Sequence, residues 1–383
     1  MGEPNVITET DDFFCHQTIQ PHSYVALNDL SWGGERGYHT LGDPDRFGLD
    51  IGVASYANRG MFHTYAIAGV PGKQWSLRAT RDFSEGRWEL RAGPIQARII
   101  EPMRRWSFTC APNDSGIAFD LEFEARNGPP YMIPQPPIRK GGRLIHEDIY
   151  VFQTGFYTGT LSLDDEVFEV DRVPGARDRT WGVRVAGEGQ LPHGVLAWLN
   201  ANFDDVSIIA HIRDRGDEVP QVRDGAVYHD GGDIVPIVGF EHDLNFDYET
   251  RQCLGGTITL TDERGEVWPI EIEPSLRMYL SGAGYTSNSV RRDRFTDPIW
   301  HERWDLTDSD LVARVEGSTT IFRTCAAASA RDTVCSRHPS VHIRSTRSGS
   351  RSNGRSQPAN PVCRISGDSR TPPPRSGGAA YDR

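Results

Sequence analysis

Several features common in soluble enzymes and membrane proteins are scarce in this sequence. It has two lysines, Lys73 and Lys140, so arginine carries nearly all of its positive charge. No run approaches the roughly 18 consecutive apolar residues of a membrane helix, so no membrane span is predicted. The first residues carry neither the basic nor the apolar segment of a secretory signal. These absences predict a cytoplasmic protein.

Neither the cysteine spacing nor the standard catalytic motifs point to a particular chemistry. None of the six cysteines forms a CxxC pair, which favours isolated thiols in a reducing compartment. The sequence contains no GxSxG elbow, no complete phosphate-binding loop and no HExxH, and its histidines lack metal-ligand spacing. We therefore expect neither a metal nor a cofactor.

The charge is divided unevenly along the chain. Residues 324–383 hold ten arginines and three aspartates, a net +7, which leaves −19 on residues 1–323 of a chain whose total is −12. An acidic body repels phosphate backbones, so nucleic acid is not an expected partner.

The body of the chain has the alternation of β-strands. GIAFDLEFEAR (116–126) alternates apolar and acidic residues, and hairpins are predicted over 75–93, 158–175, 198–216 and 257–274. Helical periodicity is scarce, and the proline-rich stretch 127–142 is predicted to be a loop or linker. Strands returning at this spacing favour barrels or sandwiches over a parallel sheet.

The patterns divide the chain into three parts. Residues 10–172 and 173–323 each show meandering hairpins of similar length, so both are predicted to be β-domains. Residues 324–383 are rich in Ser, Arg, Pro and Gly and are predicted to be disordered. The abrupt change after Arg323 leaves two interpretations open: a genuine basic tail, or an out-of-frame reading that removes the natural end of the second domain.

One stretch, GARDRTWGVR (175–184), concentrates charge beside a tryptophan. Trp181 and an arginine can close the mouth of a small barrel, because a guanidinium stacks well on an indole. Alternatively, Asp178 between Arg177 and Arg179 can be held in a fixed hydrogen-bonded geometry and act as a proton donor in an apolar cavity. Both interpretations remain open at this point.

Aromatic residues and one histidine supply further candidates. The chain has nine tryptophans and twelve tyrosines. They are either core residues or the lining of a cavity for a flat apolar ligand, where their rings would also stabilise a carbocation. DDFFCHQ (11–17) is either a solvated segment before the first strand or the carrier of a proton-transferring His16. The tryptophans in or beside strand patterns are Trp32, Trp75, Trp88, Trp106, Trp198, Trp268 and Trp304.

Two stretches resemble a known family. Residues 99–126 and 153–184 are similar to the carotenoid 1,2-hydratase/AttH-like proteins, a superfamily that also includes tocopherol cyclase-like and Diels–Alderase-like enzymes. Within it, the chain resembles a bacterial subgroup of undefined function. The resemblance covers about 10–323 and implies an all-β fold of two tandem lipocalin-like (calycin) antiparallel barrels or half-barrels. Gly175, Ala176 and Arg177 stand where the hydratases carry a histidine and aromatic residues.

The resemblance implies acid catalysis, because an acidic residue of this motif protonates an alkene in the family's hydratases. Asp178 matches that position best. The first hypothesis is a hydratase, isomerase or cyclase acting on an apolar terpenoid, steroid or lipid-like molecule. The second is a non-catalytic carrier of such a molecule. The predicted ligand-binding residues are Trp181, Arg177, Arg179, Tyr157, Trp32, Trp304 and His16.

Overall fold

We describe the fold from a computed structural model of the 383-residue chain. The structure describes residues 7–14, 34–56, 60–82, 89–128, 130–134, 137–184, 193–215, 220–247, 253–280, 298–312, 318–328, 332–334 and 341–345. A short 3-10 turn, Glu9–Asp12, precedes the first strand, and a single-turn helix α1 spans Ser309–Val312.

Nearly all of the described residues lie in β-strands. The first twelve are β1 (Gly34–Asp43), β2 (Phe47–Tyr56), β3 (Met61–Val70), β4 (Lys73–Asp82), β5 (Arg91–Ala92), β6 (Ile95–Glu101), β7 (Arg105–Cys110), β8 (Ile117–Ala125), β9 (Tyr131–Pro134), β10 (Ile138–Lys140), β11 (Arg143–Leu163) and β12 (Glu166–Arg184). The others are β13 (His193–Asn202), β14 (Val206–Arg215), β15 (Pro220–His229), β16 (Ile234–His242), β17 (Asn245–Phe246), β18 (Cys253–Asp262), β19 (Val267–Tyr279), β20 (Ile299–Asp305), β21 (Ser318–Ala328), β22 (Asp332–Val334) and β23 (Val341–Ser345).

These strands form two antiparallel sheets. The first has 13 strands in the order β20-β4-β3-β2-β1-β12-β11-β8-β7-β6-β5, and β9 and β10 also pair with β11. The second has ten strands in the order β13-β14-β15-β16-β18-β19-β21-β22, with β17 on β18 and β23 on β21. Both sheets curl into half-barrels, so the predicted all-β fold is confirmed.

Most of the predicted hairpins form. β8 buries Phe119, Leu121 and Phe123 and exposes the acidic residues between them, as the alternation requires. The 158–175 hairpin turns between β11 and β12, the 198–216 hairpin between β13 and β14, and the 257–274 hairpin between β18 and β19. Local alternation and turn residues were therefore sufficient to find these pairs.

Two predictions of local structure are wrong. The 75–93 hairpin does not form, because β4 pairs with β3 on one edge and β20 on the other, whereas β5 pairs with β6. The proline-rich 127–142 stretch is more than a loop, since it contributes the short strands β9 and β10 along β11. Proline is tolerated there because such short strands lie off the main path of the sheet.

The sheets divide the chain later than the predicted domain boundary. β12 runs through residue 172 and still belongs to the first sheet. β20, which lies in the chain between β19 and β21 of the second sheet, also belongs to the first sheet. The predicted tail boundary at Arg323 falls inside β21, which pairs with β19 on both sides of Thr324. The division of the chain into three parts stays a prediction. The sheets do not follow it strand by strand, because β20 pairs with the first sheet.

Apolar side chains collect in the two half-barrels and between the sheets. One core fills the first half-barrel around Trp106, Phe108 and Phe123, and a second fills the other half-barrel. A third cluster joins side chains of both sheets, and we call the side of the first sheet that contributes to it the inter-sheet face. That cluster consists of Ile133, Phe152, Ala176, Trp198, Ile209, Val222, Ala226 and Tyr228.

The long strand β11 bends at Gly159, where its register with β12 shifts. Gly159 has φ of +138°, and a Cβ there would lie 2.0 Å from the backbone oxygen of Asp120. We expect Gly159→Ala to lower the free energy of unfolding by about 1–3 kcal/mol, because strain and contact add. Urea denaturation measures this, with Gly128→Ala as the matched control, since a Cβ at Gly128 meets nothing within 4 Å. Equal losses in the two variants would contradict the account.

Candidate functional site between the sheets

The GARDRTWGVR stretch lies in β12, between β1 and β11, and strand alternation divides its side chains between the two sheet faces. Arg177 and Arg179 point into the first half-barrel, where their guanidinium groups lie against core aromatic rings. Ala176 belongs to the inter-sheet cluster, so Asp178, two residues on, shares its face. The hypothesis that the arginines hold the Asp178 carboxyl between them is wrong, because neighbouring residues of a strand point to opposite sides.

Arg177 is buried and fully engaged on its own side. Its Nη1 donates to Asp12 Oδ1 at 2.6 Å, and its Nε donates to Gln153 Oε1 at 2.8 Å. The guanidinium carbon lies 5.3 Å from the centre of the Trp106 ring. Asp12 in turn accepts from the Met103 backbone N–H at 2.6 Å and from Trp106 Nε1 at 2.9 Å. The 3-10 turn is thereby fixed to the half-barrel, so the solvated-segment interpretation is wrong for Asp12.

Arg179 is also buried and is also held by an acidic partner and an aromatic ring. Its Nη2 donates to Glu35 Oε2 at 2.6 Å, and its guanidinium carbon lies 4.0 Å from the centre of the Phe14 ring. Trp181 lies on the same face, with its ring centre 5.6 Å from that guanidinium. This is the arrangement that the barrel-closing interpretation predicts. The structure therefore gives these three residues packing partners on the face away from Asp178.

Tyr157 also points into the first half-barrel, beside His39. Its hydroxyl donates to the Ala176 carbonyl oxygen at 3.3 Å and lies 3.2 Å from His39 Nδ1. The tautomer of His39 sets the direction of this contact: when the single hydroxyl hydrogen goes to Ala176, His39 Nδ1–H is the donor to Tyr157. Burial raises the pKa of Tyr157 and lowers that of His39, and the charge of Arg177 lowers both.

The lowered pKa of His39 makes the fold sensitive to acid. The unfolded chain binds a proton at this residue below pH of about 6.5, whereas the folded chain does not, so stability falls as the pH falls. We expect His39→Phe to reduce this dependence by up to about 1.4 kcal/mol per pH unit. Urea denaturation from about pH 7 to about pH 5 tests it. His301→Phe, at an exposed position of β20, is the control and should keep the original slope.

The inter-sheet face holds Asp178 among aromatic rings. Tyr38 of β1 and Phe152 of β11 are its Cα partners in the two flanking strands, so their side chains stand on either side of it. The Trp198 ring of the second sheet lies 5.4 Å from the Tyr38 ring and 5.2 Å from the Phe152 ring. Asp178 is half-buried, and Thr180 Oγ1 donates to its Oδ1 at 3.2 Å. We call these residues the Asp178 site.

The second sheet presents a row of polar groups to this site. Trp198, Asn200 and Asn202 alternate on β13 and are all buried. Asn202 Nδ2 donates to the Gly175 carbonyl oxygen of β12 at 3.3 Å, which fixes the row against the first sheet. His211 of β14 is the Cα partner of Trp198, and its ring centre lies 6.0 Å from that of Phe152.

A second carboxyl shares the inter-sheet face. Asp50 of β2 is fully buried and is the Cα partner of Thr40, which lies two residues beyond Tyr38 on β1. Next to it, Gly52 leaves room for the Tyr65 ring, since a Cβ there would lie 2.0 Å from that ring. The composition of this face, with carboxyl groups among tyrosine, phenylalanine and tryptophan rings, is suited to proton transfer in a largely desolvated place.

A family model described as a family of unknown function, DUF8625, matches residues 7–334. The chain belongs to this family. The match continues past Arg323 into β21 and β22. No curated protein matches the DUF8625 chain.

Solved structures with a similar fold include an AttH candidate of Nitrosomonas europaea. It is 12% identical, with a TM-score of 0.53, and the match covers 85% of the DUF8625 chain and 95% of that chain. Kievitone hydratase of Nectria haematococca is 9% identical, with a TM-score of 0.41 and coverage of 86% and 93%. CghA with Sch210972 is 12% identical, with a TM-score of 0.47 and coverage of 88% and 96%. The likeness to the Nitrosomonas europaea structure, at a TM-score above 0.5, confirms the predicted AttH-like fold.

The structure separates the other predicted ligand-binding residues of the DUF8625 chain from Asp178. Trp304 of β20 packs with Tyr279 in a small cluster at the far edge of the first sheet. Tyr157 lies in the half-barrel core, and Trp32 and His16 lie outside the described residues. Two surface hollows of about 550 and 380 Å³ lie along β7, β8 and β11 and beside residues 124–128, and Asp178 lines neither.

Sequence reasoning missed several residues of this face. Tyr38 and Phe152 belong to no motif, and only the strand register brings them beside Asp178. Asn200 also belongs to no motif, and it lies on β13 of the second sheet. The sequence marks Trp198 as one of several tryptophans in strand patterns, but it does not predict that this ring lies between the two sheets. Within the described ranges, no three His, Cys, Asp or Glu residues are grouped as metal ligands, and no helix has the length and apolar character to cross a membrane.

Proposed function

We propose that this protein is an acid catalyst that hydrates, isomerises or cyclises an apolar small molecule of the terpenoid, steroid or lipid class. The substrate lies between the two sheets, and Asp178 is the general acid. The observation that carries the proposal is the half-buried Asp178 carboxyl, flanked in register by Tyr38 and Phe152, whose rings both pack against Trp198 of the second sheet.

The surroundings of Asp178 suit the protonation of a carbon–carbon double bond. The rings of Tyr38 and Phe152 stand on either side of the carboxyl group and restrict the access of water to it. The hydrogen bond from Thr180 Oγ1 to Oδ1 holds the carboxyl group in a fixed orientation. The rings of Tyr38, Phe152 and Trp198 present π-faces that stabilise a carbocation by about 0.5–2 kcal/mol each.

The reaction balances without any further reagent except water. Asp178 transfers its proton to one alkene carbon, and the other carbon becomes cationic. Loss of a proton from a neighbouring carbon to the Asp178 carboxylate gives an isomer. Attack by a second double bond gives a ring, and attack by water gives an alcohol, in each case with one proton returned to the carboxylate.

Incubation of the purified full-length chain with a panel of terpenoids, steroids and unsaturated lipids tests the proposal. The expected result is a product heavier by one water, or an isomer of unchanged mass and altered retention, from at least one substrate class. The same panel is screened for binding by quenching of tryptophan fluorescence. Binding without any product would overturn the enzyme proposal and support the carrier hypothesis. The mass of a small molecule that co-purifies with the protein would direct the choice of panel.

A further inference from the structure

Two polar side chains in the wall of the Asp178 site have no hydrogen-bond partner. Trp198 is 8% exposed and Asn200 is 1% exposed. Within the part of the chain that the structure describes, Trp198 Nε1 and both amide atoms of Asn200 make no hydrogen bond. Buried polar groups are nearly always paired, so three unpaired atoms on two neighbouring side chains require an explanation.

The strand geometry aims these groups at the Asp178 site. Trp198 contacts the rings of Tyr38 and Phe152, which flank Asp178. Asn202, at the other end of the row, donates to Gly175 of β12. Asn200 lies between them on the same face of β13, so it stands opposite the β12 residues between Gly175 and Asp178.

Leaving these groups unpaired is costly for the folded protein. A buried donor or acceptor without a partner destabilises the folded protein relative to a paired one, because it has given up its hydrogen bonds to water. An apolar side chain in place of Asn200 would avoid that cost, and β13 supplies such residues on its other face, where Ala197, Leu199 and Ala201 are buried. The polar choice is therefore explained by a partner that the described ranges of the chain do not themselves provide.

We propose that Trp198 and Asn200 recognise an oxygen atom of the ligand, so that the ligand is an oxygenated molecule, carbonyl-bearing above all, and not a plain hydrocarbon. Trp198 Nε1–H and Asn200 Nδ2–H donate to the ligand oxygen, and Asn200 Oδ1 accepts from a hydroxyl where one is present. The inference rests on the proposed function only in placing the ligand in the Asp178 site.

Matched ligand pairs test this directly on the full-length chain. Carvone and limonene share one skeleton and differ by a carbonyl group, and progesterone and 5α-pregnane extend the comparison to a larger ring system. We expect the ketone of at least one pair to bind at least about tenfold more tightly than its hydrocarbon, because only the ketone satisfies the buried donors. Titration followed by calorimetry, up to the solubility limit of each probe, gives the ratio.

Two variants attribute the preference to the named residues. Asn200→Leu and Trp198→Phe should each reduce the ketone preference by about threefold or more, and Asn200→Leu should leave the thermal midpoint unchanged or higher. Asn245→Leu, at an exposed position of the same sheet, is the control and should retain the full preference. An unchanged preference in both site variants would overturn the inference. Equal affinity for ketone and hydrocarbon would also overturn it, and this is the result expected if ordered water satisfies these groups. Failure of all four probes to bind would overturn it as well.

The result separates this inference from the enzyme proposal. Asp178→Asn should retain the ketone preference, since it leaves Trp198 and Asn200 in place. A preference for ketones without turnover would support oxygen recognition and reject acid catalysis. Turnover without a preference for ketones would support acid catalysis and reject oxygen recognition.

Discussion

Replacing Asp178 by asparagine is expected to lower kcat by about 10²–10⁴-fold while changing ligand affinity by less than about threefold. Asparagine keeps the shape and the hydrogen bond from Thr180 but has no acidic proton to transfer. The measurement is product formation by mass spectrometry, on a substrate identified from the panel, together with a fluorescence binding titration. Reading turnover and binding separately distinguishes loss of the acid from loss of the site.

Asp224→Asn is the matched control for this substitution. Asp224 is another half-buried carboxyl between the sheets, on β15, and it accepts a hydrogen bond from the Tyr131 hydroxyl at 2.8 Å. Burial and this hydrogen bond raise the pKa of Tyr131, so the tyrosine stays protonated and the pair is structural. We expect this variant to keep kcat within about threefold. Equal losses at the two positions, or full turnover in Asp178→Asn, would remove Asp178 from the role of acid.

The side chains of the GARDRTWGVR stretch have different roles on the two faces of β12. Arg177 and Arg179 fix the N-terminal turn and close the first half-barrel, while Asp178 faces the second sheet. Because β12 is bonded to both β1 and β11, a rigid backbone holds Asp178 in a fixed position. Such rigidity is what a catalytic group requires, since small errors in position cost large factors in rate.

Local sequence patterns predicted the strands and most hairpins, because alternation and turn residues act over a few positions. They could not predict that β20 pairs with β4, or that β5 turns away from β4, because those choices depend on contacts between distant segments. The loop prediction for the proline-rich stretch is wrong for a related reason. The stretch forms strands because it pairs with β11, which is a contact between separate segments.

The candidate site was predictable in part. Asp178 stood out through its charged neighbours and the family resemblance, yet the period-2 rule already separates it from Arg177 and Arg179. Trp198 was visible as a strand tryptophan. Asn200 gave no signal, because an asparagine without a partner is recognised only when the surrounding atoms are known.

Asp12→Ala is expected to lower the free energy of unfolding by about 3–5 kcal/mol, the second large effect that the structure predicts. The substitution leaves the guanidinium of Arg177 buried without its carboxylate partner at 2.6 Å, and it leaves the N–H groups of Met103 and Trp106 without their acceptor. A buried charge that loses its partner is destabilising by far more than an exposed pair is stabilising. Urea denaturation at neutral pH provides the measurement.

Two comparisons show whether the loss comes from the buried ion pair. Glu89→Ala removes one partner of the exposed Glu89–Arg91 pair, at 3.3 Å, and should cost less than about 1 kcal/mol. Adding Arg177→Met to Asp12→Ala removes the stranded charge, so the double variant should be destabilised by less than the sum of the two single variants. Additive losses, or an Asp12→Ala effect no larger than that of Glu89→Ala, would mean that the N-terminal turn is not anchored by Arg177. The closure of the first half-barrel would then depend on Arg179 and the aromatic core.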